Sequence, residues 1–571
     1  MSRRLLTLTA VAVAALLLPA AAWAHAALLK TFPAASVEVD TPPGEVRLVY
    51  DEAVEQRFAI ISVTDAAAHQ EVDGAVHRAA ANVDEIDVPL KHVREGWYLV
   101  FWRVISVDGH PVRGVFTFKV GPNPGPPPQF VIPSLSETAT TPGLLTFRWL
   151  TFLSFMTALG LFVLRMVIAR PAVTRAPGTS LRAVSVAFWI ALAVALVATP
   201  VYVLVATAQF ALRSVWSLGA LVPLMRVAAF GRGYLDLELL LALFGAAAAV
   251  ALWLDRPERS SRSVAGLLSL WGALLAGGAA LLAPGASGHA AQTAPRALAL
   301  AFDWLHLGAG SVWLGGLVGL LVLWRSLPAA ERVPGLVVVV PRFSNVAFCS
   351  VMALLGSGVG ASLLHLPTLA SLWQTSYGKT ILAKSALLLC AMLVASVNLL
   401  RTKPALERQA GDAPAAAVLL RRLVGVEAVL VTGTVFAAAI LSSLPPPPKA
   451  LASLGTPSAH TGPGPVASVV DMAGYRLELR VTPNKAAVSN EFAVRVTRGG
   501  KPVRGATVIA TFTMLDMEMP TQGYRLAEAS PGLYEHSALA LVMVGHWGLS
   551  FDVEPPGKQP FTVTIVDRAN G

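Results

Sequence analysis

Residues 25–120 show the alternating pattern that is typical of β-strands. Four segments there are rich in β-branched and aromatic residues, with turn residues between them: EVRLVYDEAV, EIDVPL, WYLVFWRVIS and VFTFKV. Hydrophobic residues in this region do not recur at the spacing of an amphipathic helix. We therefore predict a small immunoglobulin-like β-sandwich over residues 25–120. A stiff linker, residues 121–143, follows and includes the stretch GPNPGPPP.

The C-terminal end of the chain repeats the strand pattern. Residues 467–571 contain five strand-like segments: YRLELRVTP, EFAVRVTR, ATVIATFTM, LYEHSALAL and HWGLSFDVE. A polar linker, residues 445–466, begins with four prolines and precedes them. The pattern predicts a second β-sandwich over residues 467–571.

Between the two β-regions, residues 144–444 are dominated by long apolar runs. Each run is long enough to cross a bilayer as a helix. The runs lie near residues 144–168, 183–207, 234–254, 263–284, 297–324, 343–366, 379–400 and 421–444. We predict a membrane domain of eight helices.

The first 24 residues resemble a leader that is removed after export. Arg3 and Arg4 precede an apolar stretch, and Ala22-Trp23-Ala24 has the small-x-small pattern of a cleavage site. A signal peptide over residues 1–24 makes His25 the mature N-terminus, with an amine and an imidazole on one residue. The alternative interpretation is a first membrane helix.

Composition and charge agree with a membrane protein. The chain has 571 residues, of which 55% are hydrophobic and 14% charged, and this is too apolar for a soluble protein of that size. The net charge of +10 does not indicate a nucleic-acid partner, because the basic residues follow the first, third, fifth and seventh apolar runs. That distribution places these loops in the cytoplasm and both β-domains on the periplasmic or extracellular side of a bacterial inner membrane. We expect the two cysteines, Cys349 and Cys390, to be buried small hydrophobic residues.

The histidines indicate metal chemistry on the exported side. None of the eleven falls in a predicted cytoplasmic loop. Asp108 and His110 flank Gly109 in a tight turn, so one carboxylate and one imidazole can face a common point with the nitrogens of His25. Nitrogen and oxygen ligands of this kind suit Cu(II). The alternative is an ordinary Asp-Gly turn between two strands.

At these residues the sequence resembles the CopC family of periplasmic copper-binding domains. The shared motifs are HAALLKTFPA, YDEAVE and WRVISVDGHPVRGVFTFKV. The resemblance implies that His25, Asp108 and His110 bind Cu(II) and that Glu52 lies just outside the ligands. Some members add a methionine-rich Cu(I) site, but no methionine lies between His25 and the first apolar run.

The remaining regions resemble two further families. GHA at 288–290, DWLHLGAGSVWLGGL at 303–317, RFSNVA at 342–347, LWQTSYGKTILAK at 372–384 and VEAVL at 426–430 are similar to CopD. FTMLDMEMP and GLYEHSALALVMVGHWGL are similar to the YtkA-like domain. The resemblance implies a CopC–CopD copper-resistance or copper-transport fusion with a YtkA-like end.

Ionisable residues inside the apolar runs are candidate functional groups, because a charge in hydrocarbon is costly. Asp303 and His306 share one helical face, so the carboxylate is in position to orient the imidazole. The residues of a predicted membrane copper path are His289, Asp303, His306, His365 and Glu427. Two alternatives stay open for the Asp303–His306 pair: a structural hydrogen bond between helices, and a haem ligand site. The sequence suggests no role for Lys384.

The C-terminal domain carries a candidate Cu(I) site, since soft thioethers suit Cu(I). Its residues are Met514, Met517, Met519, His536, Met543 and His546. The alternative is that these methionines fill a core.

Two functions follow from these observations. The first is a copper transporter, with import as the expected direction, that captures Cu(II) outside and carries copper inward, with Cu(I) in the membrane and C-terminal domains. The second is a membrane-anchored copper store or chaperone that passes copper to a periplasmic chaperone or a copper enzyme. No nucleophile–base arrangement predicts an enzyme, and the chain lacks the G-x-x-x-x-G-K-[ST] motif of nucleotide hydrolysis.

Overall fold

The structure is a computed structural model. It describes residues 28–34, 38–50, 53–106, 111–122, 141–176, 178–227, 229–259, 261–408, 413–444, 457–486, 488–515, 521–542 and 545–570. The chain divides into two compact units, one built from the helices and the other from the strands.

The N-terminal β-domain has eight strands. They are β1 Leu28–Phe32, β2 Glu38–Val39, β3 Glu45–Tyr50, β4 Ile60–Asp65, β5 His77–Arg78, β6 Glu85–Pro89, β7 Gly96–Ile105 and β8 Pro111–Val120. Two four-stranded sheets result, in the orders β1-β3-β6-β5 and β2-β8-β7-β4. Alternate side chains of β3 are buried, as the sequence pattern predicts. The inward faces of the sheets form a core that includes Leu48, Val100, Trp102 and Phe118.

Eight long helices follow, and all eight predicted apolar runs are helical. They are α1 Pro142–Val163, α2 Arg182–Phe210, α3 Ala229–Leu254, α4 Val264–Ala280, α5 Arg296–Ser326, α6 Arg332–His365, α7 Ser376–Val397 and α8 Ala413–Leu441. The wider turns Leu164–Ile168 and Asn398–Thr402 extend α1 and α7. Shorter helices lie at Pro171–Arg175, Leu218–Val227, Leu282–Ala286, His289–Gln292, Ser371–Gln374 and Lys403–Arg408. Among the described residues, these eight helices are long and apolar enough to cross a membrane.

Helix α6 begins earlier than the sequence predicts. Pro341 and Arg342 break the apolar run, so its predicted start is near residue 343, yet the helix begins at Arg332. The amide-less Pro341 is accommodated inside the helix, and the Arg342 guanidinium donates to the Val338 carbonyl at 2.5 Å. Local polarity therefore marks the edge of the apolar run and not the end of the helix.

The bundle is tied together near its helix ends by buried arginines. Arg148 on α1 donates to the Tyr202 hydroxyl at 2.9 Å and to Ser443 beyond α8. The fully buried Asp255 carboxylate, just after α3, accepts from Arg165 at 2.8 Å and from Arg170 at 2.9 Å. A buried carboxylate needs such partners because its desolvation is costly.

The prediction for the two cysteines was wrong. Cys349 on α6 and Cys390 on α7 are both exposed on the surface of the bundle. An all-apolar helix gives no hydropathy signal that separates a face packed against protein from a face turned toward lipid, and this is why the sequence placed them inside.

The C-terminal β-domain has ten strands. They are β9 Ala459–Thr461, β10 Val466–Met472, β11 Tyr475–Thr482, β12 Asn490–Arg498, β13 Lys501–Pro502, β14 Thr507–Met514, β15 Gln522–Ser530, β16 Leu533–Ala538, β17 Gly545–Glu554 and β18 Phe561–Ala569. The sheet order is β10-β11-β12-β16-β15-β14-β17-β18-β9, with β13 beside β12. The first part of β15 pairs with β14 and its last residues pair with β16. This shared strand joins the two halves of the sheet, whose buried residues include Val494, Phe512, Phe551 and Ile565.

Candidate functional site

Strand pairing brings three segments to one end of the N-terminal sandwich. Leu28, the first residue of β1, pairs with Tyr50, the last residue of β3. Val54 bridges to Ser106, and the Glu55 amide donates to the Ile105 carbonyl at 2.7 Å at the end of β7. The β7–β8 hairpin closes at the pair Ile105↔Pro111. The start of β1, the end of β3, the end of β7 and the start of β8 therefore lie at this end.

These three segments carry the predicted Cu(II) ligands. His25 precedes β1, Glu52 follows β3, and Asp108 and His110 occupy the hairpin turn. All four, with Gly109, lie outside the described residues. The structure describes only the strand residues that flank them.

A buried tyrosine lies at the same end of the sandwich. Tyr50 is 1% exposed and packs edge-on against Trp102, with ring centroids 5.8 Å apart. Its hydroxyl has no hydrogen-bond partner among the described residues. Burial raises the pKa of Tyr50 well above its ordinary value, so the hydroxyl keeps its proton. A buried donor at this position fits a carboxylate or other acceptor supplied by the neighbouring turn.

In the bundle, His306 lies in a polar group that we call the outer cluster: Asp303, His306, Ser357 and Lys384. The His306 Nδ1 atom is 3.1 Å from the Ser357 Oγ atom, and Nε2 is 3.1 Å from the Lys384 Nζ atom. Ser357 donates to the Ala353 carbonyl at 2.6 Å. Because an ammonium can only donate, Nε2 accepts and Nδ1 carries the proton.

Among the described residues, no hydrogen bond joins the Asp303 carboxylate to the His306 imidazole, whose recorded partners are Ser357 and Lys384. A Cβ atom at Gly285 would come 2.5 Å from the Asp303 Oδ2 atom, so the carboxylate packs against the short helix Leu282–Ala286. Sequence reasoning assigned no role to Lys384, although a lysine inside an apolar run was itself a signal.

His289 and His365 belong to neighbouring segments. His365 ends α6, where its Nδ1 atom donates to the Ala361 carbonyl at 2.7 Å and its Nε2 atom is 3.2 Å from the Thr293 hydroxyl. His289 begins the short helix His289–Gln292 that precedes Thr293. The position of the His289 side chain lies outside what the structure describes.

Glu427 on α8 lies deeper in the bundle. It is 3% exposed, and its two carboxylate oxygens accept from Trp313 Nε1 at 2.9 Å and from Asn398 Nδ2 at 3.3 Å. Among the described residues, no lysine or arginine forms an ion pair with it. A cavity of about 200 Å³ borders this carboxylate, between α5, α6, α7 and α8.

The candidate Cu(I) residues of the C-terminal domain are distributed over several strands. Met514 is 3% exposed in the core and lies opposite Trp547. His536 stacks on Tyr524, with centroids 5.1 Å apart. His546 precedes the inward-facing Trp547 and therefore points to the other face of β17. Met517, Met519 and Met543 lie outside the described residues.

Within the part of the chain that the structure describes, no three histidine, cysteine, aspartate or glutamate side chains are grouped closely enough to hold a metal ion. The Cu(II) ligands predicted at the N-terminal end are outside that part.

Two β-domains joined by eight apolar helices that enclose ionisable side chains define a multi-pass membrane protein. Family models match the chain in the same order: the CopC domain at residues 28–121, copper resistance protein D at 337–441 and the YtkA-like domain at 471–552. The chain belongs to the CopC–CopD family of copper-resistance fusion proteins, with a YtkA-like domain at its C-terminal end.

The chain is also similar to individual known proteins. The chain is 25% identical over 547 residues to the copper transport protein CutJ of Bacillus subtilis (strain 168), covering 93% of each chain. It is 34% identical over 99 residues to protein YobA of Escherichia coli (strain K12), covering 17% of this chain and 80% of YobA. The crystal structure of CopC from Methylosinus trichosporium OB3b is 30% identical and covers 17% of this chain and 96% of that one, with a TM-score of 0.17.

Proposed function

We propose that the protein captures Cu(II) on the exported side of a bacterial inner membrane and moves copper inward through its helical bundle. Copper is the substrate, and the process belongs to copper homeostasis and resistance. A relative that matches 93% of the chain is named a copper transport protein, which supports this assignment.

One observation carries the proposal: α5 holds two separate polar groups inside an otherwise apolar bundle. His306 meets Ser357 and Lys384, and Trp313, seven residues further along the same helix, donates to Glu427. Seven residues are about two helical turns, or roughly 10 Å along the axis. Buried polar groups in a membrane are expensive and usually mark a pathway.

Capture takes place at the end of the N-terminal sandwich. His25 supplies an amine and an imidazole, His110 a second imidazole and Asp108 a carboxylate oxygen, with Glu52 beside them. This donor set suits the nitrogen and oxygen coordination that Cu(II) favours. The convergence of the β1, β3 and β7–β8 ends supports it.

Transfer then follows the membrane residues. His289 and His365 stand at the entrance, and His306 is the next ligand. The Nε2 atom of His306 points at Lys384, so copper binding there requires the flexible lysine chain to swing aside. Ser357 holds the other ring nitrogen and keeps the imidazole oriented. Glu427 lies further along the path, nearer the cytoplasmic side.

The C-terminal domain is assigned to the storage or delivery of Cu(I). Of its candidate ligands, Met514 and His546 lie on opposite faces of the sheet, so a single site would draw on a subset of Met514, Met517, Met519, His536, Met543 and His546. Both β-domains lie on the exported side, where periplasmic copper chaperones or copper enzymes are the partners. The lipid bilayer surrounds the bundle. The protein performs no catalysis in this account.

Copper accumulation in cells tests the proposal. Cells that lack the chromosomal gene are compared with and without the protein at low external copper, and total cell copper is measured by mass spectrometry. The account expects higher copper with the protein and a return to the background with His306→Ala at equal protein level. Equal copper with and without the protein would contradict import.

The capture site has its own test. One alanine inserted between Ala24 and His25 leaves the processed chain with an extra residue before His25, so the terminal amine no longer belongs to the histidine chelate. We expect Cu(II) affinity of the full chain, followed by electron paramagnetic resonance, to fall by at least tenfold. Unchanged affinity and an unchanged spectrum would rule out the terminal amine as a ligand.

A membrane-anchored copper store or chaperone is the second candidate. It is favoured by one observation: both ring nitrogens of His306 already have partners, as expected for a cluster that only braces α5, α6 and α7. In that case copper bound outside passes to a periplasmic partner, and the His306→Ala variant loses thermal stability without any change in copper accumulation.

A further inference from the structure

The cavity beside Glu427 contains two methionines that the copper path described above does not use. Met352 on α6 and Met392 on α7 line it together with Glu427, Trp313 and Asn398. The cavity has a volume of about 200 Å³ and is otherwise mostly apolar. It is therefore large enough for an ion with its ligands and has little polar surface to hold water.

The carboxyl group of Glu427 has only neutral hydrogen-bond partners among the described residues. Both oxygens of Glu427 accept hydrogen bonds, and both donors, the Trp313 indole and the Asn398 amide, are neutral. The Asn398 Oδ1 atom is itself fixed by the Thr402 hydroxyl at 3.1 Å, which turns the amide nitrogen toward Glu427. An almost fully buried carboxylate without a cationic partner among the described residues is costly, and a bound cation would offset that cost.

The two methionines and the carboxylate lie at a similar depth. Counted from the helix ends on the His365 side, Met352, Met392 and Glu427 are about 20, 24 and 21 Å along α6, α7 and α8 at 1.5 Å per residue. Three different helices thus contribute these residues to the lining of one cavity. Met352 is 45% exposed and Glu427 is 3% exposed.

Ligand chemistry decides which cation fits. Thioethers are soft ligands that select Cu(I) over hard cations, and an apolar cavity disfavours strongly hydrated ions such as Mg²⁺. One negative carboxylate balances the single positive charge of Cu(I). We propose that this cavity is a Cu(I) site formed by the thioethers of Met352 and Met392 and the carboxylate of Glu427.

The site rests on the proposed function in one respect: it is a second binding site on the same copper path, nearer the cytoplasmic side than His306. It binds copper that reaches it as Cu(I). Trp313 and Asn398 are positioning residues, because they hold the carboxylate oxygens and do not contact the ion.

The test uses the purified full chain in detergent, titrated anaerobically with Cu(I) against a chromogenic Cu(I) chelator. The double variant Met352→Leu/Met392→Leu keeps the side-chain volume and removes both sulfurs. Met156→Leu is the matched control, since Met156 is 7% exposed in the bundle and does not line the cavity. We expect the wild type and the control to bind one more Cu(I) ion than the double variant. We expect Glu427→Gln to lower the affinity for that additional Cu(I) ion at least tenfold.

X-ray absorption at the copper edge supplies a second readout. The wild type should show more sulfur neighbours per copper than the double variant, and the thermal unfolding temperatures of the two should be similar, because Met→Leu changes preserve packing. Equal stoichiometry and equal sulfur scattering in a folded double variant would overturn the site, as would occupation of the cavity by a lipid chain that Cu(I) does not displace.

Failure of this site and failure of the proposed function give different results. If the double variant loses one Cu(I) ion but the wild type does not raise cellular copper, the site stands and transport is wrong. If cells accumulate copper through the double variant as through the wild type and the stoichiometry is unchanged, transport stands and the site is wrong.

Discussion

The His306 imidazole is the residue on which the membrane part of the account depends most. Its Nδ1–H is fixed by Ser357, and Ser357 is fixed in turn by the Ala353 carbonyl one turn earlier on α6. This chain sets the tautomer and aims Nε2 at Lys384. A metal-binding histidine commonly has its second nitrogen held in this way.

Ser357→Ala tests that orientation. Removing the hydroxyl leaves Nδ1 without its partner and frees the ring, so we expect copper accumulation to fall by about tenfold or more, the usual range for a lost orienting hydrogen bond. Ser362→Ala is the control, because the Ser362 hydroxyl bonds the Gly358 carbonyl on the same helix and does not touch His306. Equal accumulation by the two variants at equal protein level would contradict the orienting role.

At the scale of the helix, α5 is held by close contacts with two neighbours. A Cβ atom at Gly315 would overlap the Gly160 Cα atom on α1, and one at Gly316 would overlap the Phe343 ring on α6. Small residues that let membrane helices approach closely take the place of the hydrophobic driving force, which is absent in lipid. The position of α5, and with it of His306 and Trp313, depends on these contacts.

Gly315→Ala should therefore destabilise the bundle. The methyl group meets backbone that cannot move away without separating α1 from α5, and overpacking of this kind costs about 1–3 kcal/mol. Gly356→Ala on α6 is the matched control, since a Cβ atom added there would have nothing within 4 Å. We expect a lower thermal unfolding temperature for the first variant only. Equal temperatures would show that α1 and α5 do not pack as closely as described.

At the scale of the whole molecule, the spacing of hydrophobic residues along the sequence predicted most of the architecture. Strand alternation and apolar run length are properties of single segments, so the β-domains and the eight helices were predicted from them correctly. Contacts between helices are not such properties. The Ser357 and Lys384 partners of His306 come from α6 and α7, and the exposed positions of Cys349 and Cys390 depend on which helix face turns to lipid.

The predicted Cu(II) site shows the same difference. The sequence predicts which residues bind, and the pairing of Leu28 with Tyr50 and of Val54 with Ser106 adds that the flanking strand ends lie at one end of the sandwich. The Tyr50 hydroxyl at that end was not predicted, because a tyrosine at the end of a strand looks like any other core residue until its neighbours are known.

Eight spans together with the proposed exported N-terminal domain predict a C-terminus on the exported side as well. A reporter that is active only after export, fused after Gly571, should be active, and one that is active only in the cytoplasm should be inactive. A fusion after Arg408, between α7 and α8, should give the opposite result and serves as the control. A cytoplasmic C-terminus would overturn the eight-span count and the assignment of both β-domains to one side.

The central claim is that copper passes through the bundle, and copper entry into vesicles tests it most directly. Purified protein is reconstituted into liposomes that contain a copper-sensitive dye, and the initial rate of copper entry is compared for wild type, His306→Ala and protein-free vesicles. The account predicts faster entry with the wild type and the protein-free rate with His306→Ala. A wild-type rate equal to that of protein-free vesicles, or full entry through a folded His306→Ala protein, would contradict it.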